Sequence, residues 1–120
     1  MIVYVWGNLT ADNFTPRPGK DTVGRPGQRP GLSAFASPPA NRKSQAVDLA
    51  MIGPALKGFP DELDQGGTQG HVAITPVDDS GEIDVKALEQ WASFRKTGRV
   101  HPFTQVLLDA IVEPNVWIEE

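Results

Sequence analysis

The side chains able to do chemistry in this 120-residue chain are few: two histidines, His71 and His101, one serine inside a strand-like run, Ser33, and four cations, Arg17, Lys20, Arg25 and Arg29, in one proline- and glycine-rich stretch. Guanidinium and ammonium groups gathered in a short segment suit an oxyanion such as phosphate, which takes several charged hydrogen bonds at once. Cysteine is absent. That removes thiolate nucleophiles, disulfides and cysteine-ligated zinc or iron–sulfur centres. The two histidines have no metal-ligand spacing between them, and Asp78-Asp79 sits in a turn-like segment, so no metal site is expected.

Ser33 lacks the flanking Gly-x-Ser-x-Gly pattern of a nucleophile elbow, so its sequence gives no support for a hydrolase triad. Gly66-Gly67-Thr68-Gln69-Gly70 is followed by a strand rather than by a Lys-Ser or Lys-Thr pair opening a helix, which excludes a P-loop. His101 precedes Pro102 and reads as a helix-start residue with a capping role. His71 opens a strand straight after the glycine-rich segment, where a side chain can face a cleft. Gly31 precedes the strand of Ser33 as Gly70 precedes that of His71, and glycine lets backbone and ligand approach closely. On that ground Ser33 and His71 are the candidate catalytic pair, and Arg17, Lys20, Arg25 and Arg29 the candidate anion-binding set.

Charge is segregated along the chain. Residues 14–45 hold six basic side chains against Asp21 alone, whereas residues 46–120 hold five basic and thirteen acidic ones, within a total of −4. An acidic body thus carries a basic loop. Such a patch attracts a phosphate, a nucleic acid strand or an acidic partner surface. The alternative is a loop whose arginines lie back on the protein's own acidic face.

The elements that must position these residues follow from the pattern. A chain of this length builds one modest core, so residues 1–120 are read as a single domain. Ile2-Val3-Tyr4-Val5-Trp6 is β-branched and aromatic and reads as a buried first strand. In residues 15–31 the triplet Arg-Pro-Gly recurs at Arg17, Arg25 and Arg29, each a tight-turn signal. This long basic Pro/Gly loop is expected on the surface, and mobile without ligand. Leu32–Ala36, Ala46–Leu49 and His71–Pro76 read as strands. Met51–Phe59 is broken by Gly53-Pro54 and reads as irregular or a turn of helix.

Two helices are expected in the last third. One is capped by Asp84, carries Val85, Leu88, Trp91 and Ala92 on one face and closes at Gly98. The other begins near Pro102 with Phe103, Val106, Leu107, Ala110 and Ile111 at helical spacing. Val116-Trp117-Ile118 closes the chain as a short strand. Trp117 would join Trp6 in an aromatic cluster if their strands are neighbours, and the carboxylates of Glu119 and Glu120 are expected in solvent. The order indicates an α+β fold with a small, mostly antiparallel sheet.

Four stretches together resemble small C-terminal domains of bacterial polymorphic and Rhs-type toxins: Val3-Tyr4-Val5-Trp6-Gly7-Asn8, Asn13–Thr22 with its Thr-Pro-Arg-Pro, Gly31-Leu32-Ser33-Ala34-Phe35, and Gly70-His71-Val72-Ala73-Ile74. The resemblance implies an ADP-ribosyltransferase-like arrangement. In that superfamily an Arg or His on the first strand, a Ser- or Tyr-bearing second strand and a Glu on a later strand surround nicotinamide adenine dinucleotide (NAD). Trp6 stands here at the first-strand arginine position, Asn8 at the second glycine, and the His71 strand has no Glu. Ser33 matches the second-strand serine and His71 the opening of the later strand. By the same resemblance Ser33 would bond a ribose, His71 would orient the nicotinamide or its ribose, and the basic loop would hold the pyrophosphate.

Two function classes stand open at this point. One is a toxin-type effector domain with such a site, active or degenerate, acting on a host protein and met by an immunity protein. The other is a non-catalytic interaction module, encoded by a phage or mobile element, that inhibits a host protein through its charged surface. Nucleic acid is a less favoured partner. No apolar run approaches the roughly 20 residues of a membrane-spanning helix, and the N-terminus lacks a basic region followed by an apolar stretch. The expected location is the cytoplasm, or a target cell into which the protein is delivered.

Overall fold

In the computed structural model, which describes residues 1–117 and those from 113 onward by backbone alone, the first strand is the hub of the sheet. β1 (Ile2–Trp6) alternates exposed and buried positions, with Val3 and Val5 buried and Tyr4 and Trp6 half-buried on the opposite face. β2 (Leu32–Phe35), β3 (Lys43–Asp48), β4 (Leu56–Pro60), β5 (His71–Pro76) and β6 (Ile111–Trp117) complete an antiparallel sheet ordered β4-β5-β2-β1-β3-β6. Two helices, α1 (Val85–Ala92) and α2 (Pro102–Asp109), follow the fifth strand. The fold is α+β, with both helices late in the chain.

One face of the sheet forms the core. Val3, Val5, Leu32, Ala34, Val47, Leu56, Val72 and Ile74 pack with Leu88 and Trp91 of α1, Leu107 of α2 and Phe14. Asp84 caps α1 through its carboxylate, which accepts the Ala87 amide at 3.0 Å, and His101 caps α2 by accepting the Phe103 amide on Nδ1 at 3.0 Å. A buried hydroxyl ties the layer together: Thr104 Oγ1 accepts Trp91 Nε1–H and donates to the Phe14 carbonyl, both at 2.9 Å. Phe14, Thr15 and Pro16 are buried. The basic loop thus leaves the body from a fixed point.

Three elements differ from the sequence reading. Residues 56–60 form an edge strand rather than irregular structure, a place where Pro60 is tolerated because its missing N–H faces away from the ladder. The helix α1 stops at Ala92, with tight turns before Gly98. The helix α2 stops at Asp109 with Ala110 as its cap, so Ile111 starts β6 and packs from there against the core. Between Trp6 and Trp117 lies β3, so their strands are not neighbours. The strand expected over 116–118 falls within β6 as far as Trp117. Ile118, Glu119 and Glu120 lie outside the described residues.

The sheet is not evenly knit. β1 pairs with β3 along its whole length, Ile2↔Asp48 through Trp6↔Ser44, and β2 pairs with β5 from Leu32↔Ile74 to Phe35↔His71. Between β1 and β2, however, the register is the single pair Tyr4↔Phe35. Beyond it the ladder is split: no pair joins Val5 or Trp6 to β2, and a cavity lined by Trp6 and Ser33 lies there together with Arg17 of the basic loop.

Candidate functional site

The loop is built of turns before it is a binding surface. Arg17-Pro18-Gly19 turns back so that the Asp21 carboxylate accepts the Arg17 amide at 2.7 Å and the guanidinium at 3.1 and 3.2 Å. Arg25-Pro26-Gly27-Gln28 closes as a two-residue hairpin, with reciprocal backbone bonds of 2.8 and 3.0 Å between Arg25 and Gln28. The third triplet, Arg29-Pro30-Gly31, is a bend leading into β2. Two glycines seat the loop by close approach. A Cβ at Gly27 would run into the Gly67 amide and the Glu62 carbonyl, and one at Gly31 would meet the Ile74 carbonyl at 2.6 Å. The space beside Gly31 is therefore filled by β5.

On the face of the sheet opposite the core, the register sets a line of side chains. Because Phe35 pairs with His71 and Ser33 with Ala73, Ser33, Phe35 and His71 share one face, as alternate residues on a pleated strand must. The edge pairing continues one residue past β4, where the Asp61 amide donates to the His71 carbonyl at 3.0 Å. This brings Asp61 alongside His71. His71 Nδ1 lies 2.7 Å from Asp61 Oδ1 and Nε2 lies 3.0 Å from Ser33 Oγ.

Asp61 has no side-chain exposure and His71 has 12%. Burial works against the charge of the Asp61 carboxyl. Hydrogen bonds from His71, the Thr68 amide and Gln28 together outweigh it and hold its pKa below the ordinary carboxylate value. An ionised Asp61 can only accept, so Nδ1 carries the ring proton. In its neutral form the ring offers its Nε2 lone pair to the Ser33 hydroxyl, which donates.

Ser33 and His71 open onto a cavity of about 290 Å³ lined also by Arg17, Lys20, Arg25 and Arg29. All six candidate residues thus meet at one place. Their charges are not equivalent there. Arg17 is neutralised by Asp21, whose hydrogen bond and charge raise its pKa further. Arg29 pairs with Glu62 at 3.0 Å and lies over the Phe59 ring at 5.2 Å. Among the described residues, Lys20 and Arg25 have no carboxylate within ion-pair distance. They carry the uncompensated positive charge of the cavity.

A second cavity, about 370 Å³, adjoins the first through Arg17, Asp21 and Ser33 and follows the split to Trp6, Phe35 and Arg95. Its aromatic wall crosses the parted strands: the Trp6 and Phe35 rings stack at 4.0 Å, and Phe35 meets the His71 ring edge-on at 5.3 Å.

Asp61 is the member that the sequence reading misses. Its signal is faint, since it rests on pairing across the Gly66-Gly67 connector, and that pairing is invisible once 56–60 is read as irregular. His101 takes the structural role expected of it. No group of three or more His, Asp or Glu side chains suited to a metal ion is gathered among the described residues, and no helix among them is long and apolar enough to cross a membrane. Compared with known families, curated proteins and solved structures, the chain matches no family model, no curated protein and no solved structure.

Proposed function

We propose that this chain is a toxin-type effector domain with an ADP-ribosyltransferase-like cleft that binds NAD. The observation that carries the reading is the convergence of Ser33, His71 and the basic loop on one cavity that continues along the split between β1 and β2 to the Trp6–Phe35 stack. A dinucleotide needs cations for its pyrophosphate, hydroxyl partners for its riboses and flat apolar surface for its rings. Lys20 and Arg25 supply the first, Ser33 the second, and Trp6 with Phe35 the third. The two joined cavities lie in the size range of small-molecule sites, roughly 300–1,000 Å³. The toxin-type part of the reading rests on the sequence resemblance.

Trp6 replaces the fork of donors that a first-strand arginine would offer a phosphate or ribose. In this reading the phosphate contacts pass to the loop, and Trp6 serves the rings instead. The test is thermal unfolding with and without NAD. A ligand at a hundredfold over its dissociation constant stabilises a protein by about 2.7 kcal/mol, so a rise in the melting temperature that saturates with NAD is expected. No shift at millimolar NAD removes the dinucleotide reading and leaves the interaction module.

A further inference from the structure

The Asp61–His71–Ser33 chain is more than ribose binding requires. A serine that only donates to a sugar needs no histidine behind it, and a histidine that only orients a ring needs no buried carboxylate. We propose that Ser33 is a nucleophile toward phosphate esters and anhydrides, with His71 as its base and Asp61 as the residue that positions the imidazole. This goes beyond the NAD reading and does not depend on it.

Three observations carry the assignment. The bonds run in the order nucleophile, base, orienting carboxylate, with lengths of 3.0 and 2.7 Å, the arrangement that activates a hydroxyl. The carboxylate is fully buried and accepts also from the Thr68 amide at 2.9 Å, so ring and tautomer are fixed before substrate arrives. The hydroxyl faces a cavity lined by Lys20 and Arg25, whose charges suit an electrophile bearing anionic oxygens. That combination selects phosphorus over a neutral carbonyl.

The step balances without any external oxidant or reductant. Ser33 Oγ forms a bond to phosphorus while its proton passes to His71 Nε2. The bond from phosphorus to the leaving oxygen breaks, and the imidazolium returns the proton to that oxygen. Water then attacks the phosphoseryl group, its proton passes to His71, and Ser33 recovers a proton as it leaves. The products are a phosphate and the leaving group, which is an alcohol from an ester and a second phosphate from an anhydride.

The test uses the intact chain and two probes. Diisopropyl fluorophosphate should modify Ser33 with loss of fluoride, at least about 100-fold faster than the exposed Ser37 and Ser93, as mass spectrometry of the peptides would read. Bis(4-nitrophenyl) phosphate should release nitrophenolate with the wild-type chain and not with Ser33→Ala. His71→Gln can still donate to Asp61 and so preserve the fold, checked by circular dichroism, yet should slow labelling about 100-fold. Asp61→Asn should slow it too, and the double variant should be no slower than His71→Gln alone, since residues acting as one unit are not additive. Labelling of Ser33 no faster than of Ser37 and Ser93, full labelling in folded His71→Gln, or absence of phosphodiester turnover would each overturn the proposal. Thermal shift with NAD on the same samples keeps the two readings apart. Stabilisation without labelling removes only the nucleophile, and labelling without stabilisation removes only the dinucleotide.

Discussion

Ser33 and His71 are diagonal neighbours on the β2–β5 pair. His71 stands directly opposite Phe35, and its ring leans two pairs along the ladder, past Ala34↔Val72 on the other face, to place Nε2 3.0 Å from Ser33 Oγ. Diagonal partners on antiparallel strands are within reach of long side chains, so a shift of either strand by one residue would leave the two groups on opposite faces. The contact is thus fixed by the same register that fixes the core.

The two members should differ in their effect on stability. His71→Ala takes a hydrogen bond from the buried Asp61 carboxylate and should cost about 1–3 kcal/mol. Ser33→Ala removes a group open to the cavity and should stay within about 0.5 kcal/mol. Urea unfolding of the two variants is the check, and equal costs would mean that Asp61 does not depend on the ring.

Leu107 is fully buried between α2 and the sheet. Leu107→Ala should cost roughly 2–5 kcal/mol, the range for a leucine truncated in a core. A loss below about half a kcal/mol in denaturant unfolding would mean that this helix face does not pack as described.

His101 is buried, and burial lowers its pKa below the ordinary value of 6.5. The folded state therefore prefers the neutral ring, and stability is complete above pH 6.5. It is lost as pH falls from there through the depressed folded value, because the unfolded chain takes the proton first. Protonation of Nδ1 also removes the acceptor for the Phe103 amide. His101→Asn keeps a capping acceptor and should flatten this part of the stability–pH curve. An unchanged curve would mean that another group is responsible.

In the basic loop, amide exchange should separate the anchored positions from the rest. The Gly31 amide donates to the Asp21 carbonyl at 2.7 Å, and the Glu62 amide donates to the Gly27 carbonyl at 2.8 Å. Both should exchange slowly in the free protein. Exchange at the rate of an unfolded peptide at both would make the loop a mobile segment that only ligand orders.

Much of this arrangement is legible in the sequence, and the reasons for what is not are local. β-branched residues mark β1 and β5, alternation of apolar with small or polar side chains marks β2, and the flanking glycines draw attention to Ser33 and His71. Asp61 escapes because Gly53-Pro54 breaks the apolar run from Met51 to Phe59, and Gly58 and Pro60 weaken the strand signal that remains. Edge position and packing, neither visible in one-dimensional propensity, restore that strand. Ile111 is misplaced because it continues the helical period of Val106, Leu107 and Ala110, although the chain turns at Ala110 into β6. The split between β1 and β2 has no sequence mark at all. It follows from pairing that stops after Tyr4↔Phe35.

The most direct measurement is the affinity for NAD by titration calorimetry, in the wild-type chain and in a Ser33→Ala, His71→Gln double variant whose melting temperature matches it. Saturable binding to the wild type that is lost in the double variant is the expected result. Equal affinity in the two proteins, or no heat of binding with the wild type, would contradict a dinucleotide site at the cleft between β1 and β2.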